Sequence, residues 1–179
     1  MISRGSNLIL SGYTGPQQTA IGRRTAAWLD MPYVDVDTLV EARHDLTTEE
    51  LMATFGEAHL KTLETAVMEE TLLQRDAVIH ARGYRLAQGD WLRRFQETGV
   101  VICLVASIDA VLQGLHQALG TRYHDAAERA VALGRLQREW ALRGRPGVLE
   151  LDTTGLELPD IVTQVVRVRN QAPEQEGIQ

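Results

Sequence analysis

Lysine and cysteine each occur once in this chain of 179 residues, as Lys61 and Cys103, and the other 17 basic residues are arginines. A single cysteine excludes an intramolecular disulfide and a zinc–thiolate cluster. Cys103 lies within an apolar run, so we expect it to be a buried strand residue. These scarcities favour a reducing, cytoplasmic setting and leave arginine as the main source of positive charge.

Long apolar segments and blocks of like charge are also missing. No stretch approaches the roughly 18 apolar residues that a membrane span needs, and the first residues show no hydrophobic export signal. The net charge is −6 without a run of five like charges, which argues against a nucleic-acid surface. The five histidines show no metal-ligand spacing. We expect a soluble protein that binds neither membranes nor nucleic acid, while a protein partner remains open.

Short apolar runs alternate with longer amphipathic stretches, the pattern of βαβ units around a parallel sheet. Strands are predicted at 7–11, 32–36, 76–80, 100–106 and 148–151. Helices are predicted at 17–29, 48–55, 57–73, 91–97, 110–119, 126–142 and 159–168, and Thr47 with Glu50 forms a capping-box pattern. The predicted fold class is α/β, with three layers and a five-stranded parallel sheet. We expect one domain over residues 1–170 and a flexible tail over 171–179.

A glycine-containing loop connects the first predicted strand to the first predicted helix. From Gly12 to Thr19 it reads GYTGPQQT, where a phosphate-binding loop reads GxxxxGKT. In the complete motif, backbone N–H groups cradle phosphates and the lysine ammonium reaches their oxygens. Gln17 and Gln18 replace the last glycine and the lysine, and Pro16 lacks an N–H. The segment is either an ordinary strand-to-helix turn or a ligand loop that has lost its main cation.

Two aspartates, Asp35 and Asp37, end the second predicted strand in the sequence YVDVD. Residues two apart on a strand project from the same side, so we expect both carboxylates near the loop, at the carboxyl edge of the sheet. There they can position magnesium or a substrate hydroxyl. The alternatives are solvated carboxylates or, for Asp37, a cap of the following helix. His80 ends the third predicted strand, and we expect a hydrogen-bonded structural histidine.

The order of these features over residues 7–169 resembles the shikimate kinase family of small P-loop kinases. The strongest match is residues 7–37, with the strand, GxxG, Thr19, IGR and the DxD of Asp35 and Asp37. The resemblance implies that Asp35 is catalytic and assists magnesium, that Asp37 binds a substrate hydroxyl, and that Thr19 is a magnesium-side hydroxyl. It implies a nucleotide-binding loop made of Gly12, Gly15, Gln17, Gln18 and Thr19.

The family pattern matches less closely beyond the second strand. The family's GExxFRxxE reads GEAHLKTLE here, so Lys61 stands where an arginine would bind the substrate carboxylate, and lysine lacks the bidentate fork. The family's GGG turn is Arg82, Gly83 and Tyr84. The resemblance implies a substrate-binding role for Gly83. The large side chains of Arg82 and Tyr84 should fill part of the substrate pocket. If Arg82 points inward, it can pair with Asp35 or Asp37.

Two arginines complete the sites that the resemblance implies. Arg138 matches the second substrate-binding arginine. Arg122, in the sequence GTRYH, is an approximate match to the lid arginine on the nucleotide side. The implied substrate flap covers about residues 38–75 and the implied lid about residues 119–126.

The missing loop lysine decides the functional prediction. Without the lysine, the loop loses a charge-assisted contact to the phosphates that contributes about 1.5–3 kcal/mol to binding. Losing one preorganised donor typically lowers turnover about 10²–10³-fold. We predict a shikimate-kinase-like protein with a degraded ATP site, catalytically impaired or inactive, that binds a small hydroxylated or anionic metabolite without a cofactor. One alternative is an active kinase that uses ATP and Mg²⁺, with Arg122 or Arg138 replacing the lysine. Another is a non-catalytic protein-interaction module.

Overall fold

The computed structural model describes residues 6–13 and 17–172, and a parallel sheet of five strands runs through this part of the chain. The strands are β1 (Asn7–Gly12), β2 (Tyr33–Asp35), β3 (Val78–His80), β4 (Gly99–Val105) and β5 (Val148–Asp152). Their order is β2-β3-β1-β4-β5, and every neighbouring pair is parallel. The predicted α/β class and parallel sheet are confirmed.

Helices connect the strands. Within the described residues they are α1 (Gln18–Leu29), α2 (Val36–Ala42), α3 (Thr48–Phe55), α4 (Glu57–Thr71), α5 (Gly83–Leu86), α6 (Trp91–Gln96), α7 (Ile108–Leu119), α8 (Ala126–Glu139) and α9 (Leu158–Gln171), with 3-10 turns at Gly120–His124 and Trp140–Leu142. The sequence pattern does not predict α5, and it offers α2 only as an alternative. Most of the predicted tail, residues 173–179, lies outside the described residues. In the described part, every helix is too short or too polar to span a bilayer.

The sheet is covered on both faces, which explains why β1 and β4 are almost continuously apolar. Leu8 and Leu10 of β1 pack with Ile21 of α1 and Val165 of α9 on one face. On the other face, Ile9 packs with residues of α2, α3, α4 and α6. The predicted three-layer arrangement therefore holds, with the α2–α5 side next to the carboxyl ends of β2 and β3.

Cys103 is a buried, free cysteine in β4, as predicted. Burial raises the pKa of its thiol to about 12, with a smaller contribution in the same direction from the charge of Glu150. The thiol therefore stays protonated near neutral pH and packs as a small apolar side chain.

The first turn of α3 carries the predicted capping box. The Thr47 hydroxyl accepts a hydrogen bond from the Glu50 backbone N–H at 3.2 Å, and a Glu50 carboxylate oxygen accepts one from the Thr47 backbone N–H at 2.8 Å. Both groups satisfy N–H donors that helical bonding leaves free. The box determines where α3 begins, beside the cavity described below.

Candidate functional site

A cavity of about 600 Å³ opens at the carboxyl ends of β1 and β3, between the phosphate-loop position and helices α3, α5 and α8. Ligand sites of parallel α/β sheets lie at this edge, and the volume is in the range of small-molecule pockets. The cavity is lined by Gly12, Tyr13, Gln18, Asp37, Thr48, Glu49, Met52, Ala53, Leu60, His80, Arg82, Tyr84, Arg85, Arg138 and Glu139.

Gly12 forms the floor of the loop end of the cavity, and the fold itself requires glycine there. Its φ is +87°, in the region that L side chains rarely adopt. A Cβ at this position would lie 2.1 Å from the carbonyl oxygen of Leu104 on the adjacent strand. The glycine is therefore explained by backbone packing, whether or not a phosphate binds.

Gln18 begins α1 and lines the cavity at the position predicted for the phosphate-binding lysine. Both polar atoms of its side-chain amide are buried, and the described residues offer neither of them a hydrogen bond. Gln17 and Thr19 are exposed and do not line the cavity. Gly15 lies outside the described residues. Arg122 belongs to the 3-10 turn Gly120–His124, and its side chain is also outside the described part.

The two aspartates do not share a strand face, so that prediction is wrong. Asp35 ends β2 and caps α2, with its Oδ1 accepting a hydrogen bond from the Thr38 backbone N–H at 3.0 Å. Asp37 lies in the first turn of α2 and lines the cavity, whereas Asp35 does not. The chain turns into a helix at once because the Asp35 carboxylate satisfies a free N–H and favours the positive helix terminus. The helix cap is therefore Asp35, two residues before the residue predicted for that role.

Asp35 also anchors a hydrogen-bonded group at the ends of β2 and β3. Its Oδ2 accepts a hydrogen bond from the Tyr33 hydroxyl at 3.1 Å and lies 3.0 Å from His80 Nδ1. Burial alone would raise the pKa of Asp35, but the hydrogen bond and charge of His80 outweigh it, with help from Thr38 and Tyr33. The net effect is a pKa well below the usual range. Asp35 is an anion at neutral pH.

His80 is the member of this group that lines the cavity, and its side chain is 15% exposed. Burial alone would lower its pKa. The hydrogen bond to Asp35 and the negative charges of Asp35, Asp37 and Glu139 outweigh that effect and raise the pKa above its ordinary value. The predicted hydrogen bond of His80 is confirmed, while its position on the cavity wall goes beyond the structural role expected from sequence.

Arg82 pairs with Asp37 across the cavity, which confirms the prediction that an inward-pointing Arg82 can meet one of the two aspartates. The contact joins Arg82 Nε to Asp37 Oδ2, and both side chains are partly exposed. Arg82 precedes α5, whereas Asp37 lies in α2, so the pair ties the two walls together. Tyr84 lines the same cavity, and its burial raises the pKa of its hydroxyl.

Gly83 is buried beside the cavity, and its backbone N–H is already used. It donates to Glu139 Oε2 at 2.9 Å, and a Cβ on Gly83 would lie 1.9 Å from the Glu139 carbonyl oxygen. Burial raises the pKa of Glu139, although the Gly83 N–H and the charges of Arg82 and His80 act against the rise. Glu139 is a cavity residue that the sequence reasoning missed.

Lys61 is exposed on α4 and is not among the residues lining the cavity. The basic residue that α5 places there is Arg85, whose guanidinium pairs with Glu64 of α4. The two side chains are 18% and 8% exposed, and burial lowers the pKa of Arg85. One sequence signal pointed to this pair: Glu64 falls on the same helix face as Leu60 and Met68, and a carboxylate on an apolar face needs a partner.

Arg138 lies in the last turn of α8 and lines the cavity, as its predicted role requires. Its side chain is exposed, and its Nε donates a long hydrogen bond of 3.4 Å to the Gly134 carbonyl. Of the predicted site residues, the cavity therefore brings together Gly12, Gln18, Asp37 and Arg138. Asp35, Lys61, Gly83, Gln17 and Thr19 do not line it. The ligand-binding roles themselves remain predictions.

The groups predicted to hold magnesium do not fit that ion. Both oxygens of Asp35 already accept hydrogen bonds, and its charge is matched by His80. Thr19 is exposed and outside the cavity lining. Magnesium prefers carboxylate oxygens that are free to replace its water ligands. Among the described residues, no group of three or more His, Cys, Asp or Glu side chains is arranged to hold a metal.

The strand–loop–helix start, the strand order and the cavity at the carboxyl edge define the fold of a P-loop small-molecule kinase. The family model for shikimate kinase matches residues 15–141, which is more than half of the chain. The chain belongs to the shikimate kinase family.

Curated relatives and solved structures agree with this assignment. The shikimate kinase of Thermodesulfovibrio yellowstonii is 24% identical over 164 residues, which cover 90% of this chain and 93% of the relative. That of Geobacter metallireducens is 26% identical over 161 residues, 89% of each chain. The solved shikimate kinase from Bacteroides thetaiotaomicron superposes with a TM-score of 0.72 at 23% identity, over 92% of this chain and 96% of its own.

Two further solved structures extend the comparison. A shikimate kinase from Acinetobacter baumannii in complex with shikimate has a TM-score of 0.72 at 18% identity, covering 94% of this chain and 96% of its own. A gluconokinase from Sinorhizobium meliloti has a TM-score of 0.60 at 14% identity, covering 95% and 96%. At these identities the structural likeness establishes the fold alone.

Proposed function

We propose that this chain is a shikimate-kinase-like protein that binds a small hydroxylated or anionic metabolite and has lost efficient phosphotransfer from ATP. The observation that carries the proposal is Gln18. A neutral amide lines the cavity at the lysine position, with both polar atoms buried and without a hydrogen-bond partner among the described residues. An amide offers no charge to a triphosphate, but it can donate to and accept from a neutral polar ligand.

Most of the basic side chains that line the cavity support the same conclusion. Three basic side chains that line it are already matched by carboxylates. The pairs are Arg82 with Asp37, Arg85 with Glu64, and His80 with Asp35. A paired cation attracts phosphate weakly, because the carboxylate either stays close and repels the phosphate or must be displaced. These pairs therefore do not supply the charge that the missing lysine would bring.

The cavity wall suits a ligand with several hydroxyl groups. Asp37 and Glu139 provide hydrogen-bond acceptors, Arg138 provides donors, and Leu60 and Met52 provide apolar contact. Hydroxyl groups both donate and accept, so they can use acceptors and donors on the same wall. A carboxylate on the ligand would find Arg138 exposed at the cavity. This combination favours a small polyhydroxylated acid.

Two measurements on the full-length chain test the proposal. ADP release with ATP, Mg²⁺ and shikimate should stay far below the turnover of an active family member assayed in parallel. Calorimetry with each ligand alone should detect shikimate and not ATP. Turnover comparable to the active relative would overturn the proposal, and binding of neither compound would favour the interaction module.

A second candidate is an active kinase in which Arg138 meets the phosphate charge. It is favoured by one observation: Arg138 lines the cavity, is exposed, and its described hydrogen bond, to the Gly134 carbonyl, is long at 3.4 Å. Arg138→Gln should then abolish the turnover with ATP. Arg145→Gln, which changes an exposed arginine outside the cavity lining, is the matched control and should leave turnover unchanged.

A further inference from the structure

We propose that His80 is the residue that contacts a ligand hydroxyl at the end of β3, and that Asp35 is a positioning residue acting through it. The inference rests on the proposed function in that it takes a hydroxylated ligand as the occupant of the cavity. The family resemblance implies a hydroxyl contact for Asp37 and a catalytic role for Asp35, and the inference adds His80 as a second residue that contacts a ligand hydroxyl.

The first observation concerns which side chain reaches the cavity. His80 lines it, and Asp35 does not. Asp35 Oδ1 is held by the backbone N–H of Thr38, and Oδ2 is held by Tyr33 and His80. A carboxylate with both oxygens engaged by its own fold has little capacity left for a ligand. Asp35 is therefore placed to orient a neighbour.

The second observation concerns the orientation of the His80 ring. The parallel register sets Asp35 of β2 opposite His80 of β3, and Nδ1 lies 3.0 Å from Asp35 Oδ2. Nε2 is on the far side of the ring. The described residues offer Nε2 no hydrogen bond, yet it is not among the fully buried polar atoms that lack a partner. Since His80 lines the cavity, Nε2 is the ring nitrogen open to it.

The chemistry of the ring selects the class of ligand group. A carboxylate on Nδ1 fixes the ring orientation and keeps a proton on that nitrogen. Nε2 then accepts a hydrogen bond when the ring is neutral and donates one when it is charged. A hydroxyl group can satisfy Nε2 in both states, whereas a carboxylate or phosphate oxygen satisfies only the charged ring. The cavity therefore presents His80 to an alcohol group of the ligand.

Two amide substitutions at His80 separate contact from structural support. The Asn side chain places an amide near the position of Nδ1 and nothing at Nε2, whereas Gln extends an amide toward Nε2. We expect His80→Asn to weaken shikimate binding about 5- to 10-fold, the loss of roughly one hydrogen bond. His80→Gln should retain more of the affinity. If His80→Asn, shown to be folded by circular dichroism, binds shikimate as tightly as the wild type, the proposal is wrong.

A double-mutant cycle tests whether Asp35 acts through His80. Asp35→Asn should weaken shikimate binding in the wild-type background and have no further effect on binding in the His80→Asn background. A purely structural role would lower stability in both backgrounds without this dependence. An equal loss of binding in both backgrounds would mean that Asp35 meets the ligand itself, which contradicts the assignment.

A ligand-free measurement keeps the inference separate from the proposed function. Diethyl pyrocarbonate acylates accessible histidine nitrogens, and mass spectrometry of the folded full-length chain can locate the modified residue. We expect acylation of His80. If shikimate does not bind but His80 is acylated, the proposed ligand class fails and the placement of Nε2 stands. If His80 resists the reagent while exposed His44 reacts, Nε2 is not open to the cavity and the inference fails.

Discussion

The two ends of the cavity differ in how their polar groups are satisfied. At the loop end, both polar atoms of the Gln18 amide are buried without a described partner, and Gly12 is required by its backbone geometry. At the other end, carboxylates and cations are paired. These pairs are Arg82 with Asp37, Arg85 with Glu64, and His80 with Asp35. One end is therefore built by specific side-chain pairing, and the other carries the neutral amide of Gln18 where the motif has a cation.

This difference shows that agreement with a motif can have more than one cause. Gly12 matches the phosphate-binding pattern, but a Cβ there would collide with the Leu104 carbonyl. A glycine is expected at that position in any chain with this strand geometry. Asp35 also matches a motif, and its contacts are with Thr38, Tyr33 and His80. The cavity-lining residues that no motif identified, His80, Arg85 and Glu139, say more about the ligand.

The largest effect should come from breaking the buried pair of Arg85 and Glu64, at the end of the cavity where carboxylates and cations are paired. Arg85→Met leaves Glu64, whose side chain is 8% exposed, without its cation. Loss of one partner of a buried pair costs about 3–5 kcal/mol, which urea unfolding would measure. The double variant Arg85→Met with Glu64→Leu should recover most of this stability because no charge is left buried. An unchanged unfolding free energy in the single variant would mean that the pair is not formed in solution.

A substitution at the loop end tests the backbone argument. Gly12→Ala should destabilise the fold by about 2–5 kcal/mol, from a strained positive φ together with overpacking against Leu104. Gly114→Ala in α7 is the control, because nothing lies within 4 Å of the added Cβ. It should be neutral or stabilising by up to about 1 kcal/mol. Equal denaturation midpoints for the two variants would remove the structural explanation for Gly12.

Restoring the glycine and lysine of the phosphate-binding motif tests whether the missing cation is the only defect of the ATP site. The paired change Gln17→Gly with Gln18→Lys should tighten ATP binding about 10- to 150-fold, since a charge-assisted contact contributes about 1.5–3 kcal/mol. Calorimetry would measure it, with Gln18→Met as the uncharged control. If ATP affinity stays absent, Pro16 or the side chains of Arg82 and Tyr84 also obstruct the site.

The His80–Asp35 pair should give stability a defined pH dependence. The raised pKa of His80 stabilises the fold below its unfolded value of about 6.5, and this contribution is lost as pH rises through the folded pKa. The lowered pKa of Asp35 stabilises the fold above the unfolded pKa of about 3.9. This contribution is lost as the pH falls through the folded pKa. His80→Asn should therefore lower the free energy of unfolding most, by roughly 1.5 kcal/mol, between about pH 4 and 6.5. Urea unfolding across pH would measure the cost, and a pH-independent difference would contradict the coupling.

The smallest effect on stability is expected at the partly exposed pair that spans the cavity. Arg82→Gln should lower the unfolding free energy by less than about 1 kcal/mol, as exposed pairs do. It also releases the Asp37 carboxylate toward the cavity, so shikimate binding should tighten. Arg93→Gln, which removes surface pairs with Asp90 and Glu97, is the control and should leave shikimate affinity unchanged. Unchanged affinity in both variants would show that Asp37 does not meet the ligand.

Local patterns were enough to predict most of the fold. The five strands, the longer helices and the Thr47–Glu50 capping box all depend on residues close together in the chain. Two short helices were not predicted outright: α5 was missed, and α2 was offered only as an alternative. Helix α5 has four residues and α2 has seven, and neither length carries enough periodicity to be separated from a strand or turn. This is why Asp37 was predicted on a strand.

The candidate site depended mainly on contacts between distant residues. The sequence by itself determined the parallel α/β architecture, the family and the absence of a lysine from the loop, because each follows from neighbouring residues. Only the tertiary structure decided that Arg85 meets Glu64, that Arg82 meets Asp37, and that Asp35 turns away from the cavity toward His80. The physical reason is the strand order: β2 lies beside β3 in the sheet, which joins side chains 45 residues apart, as for His80 and Asp35.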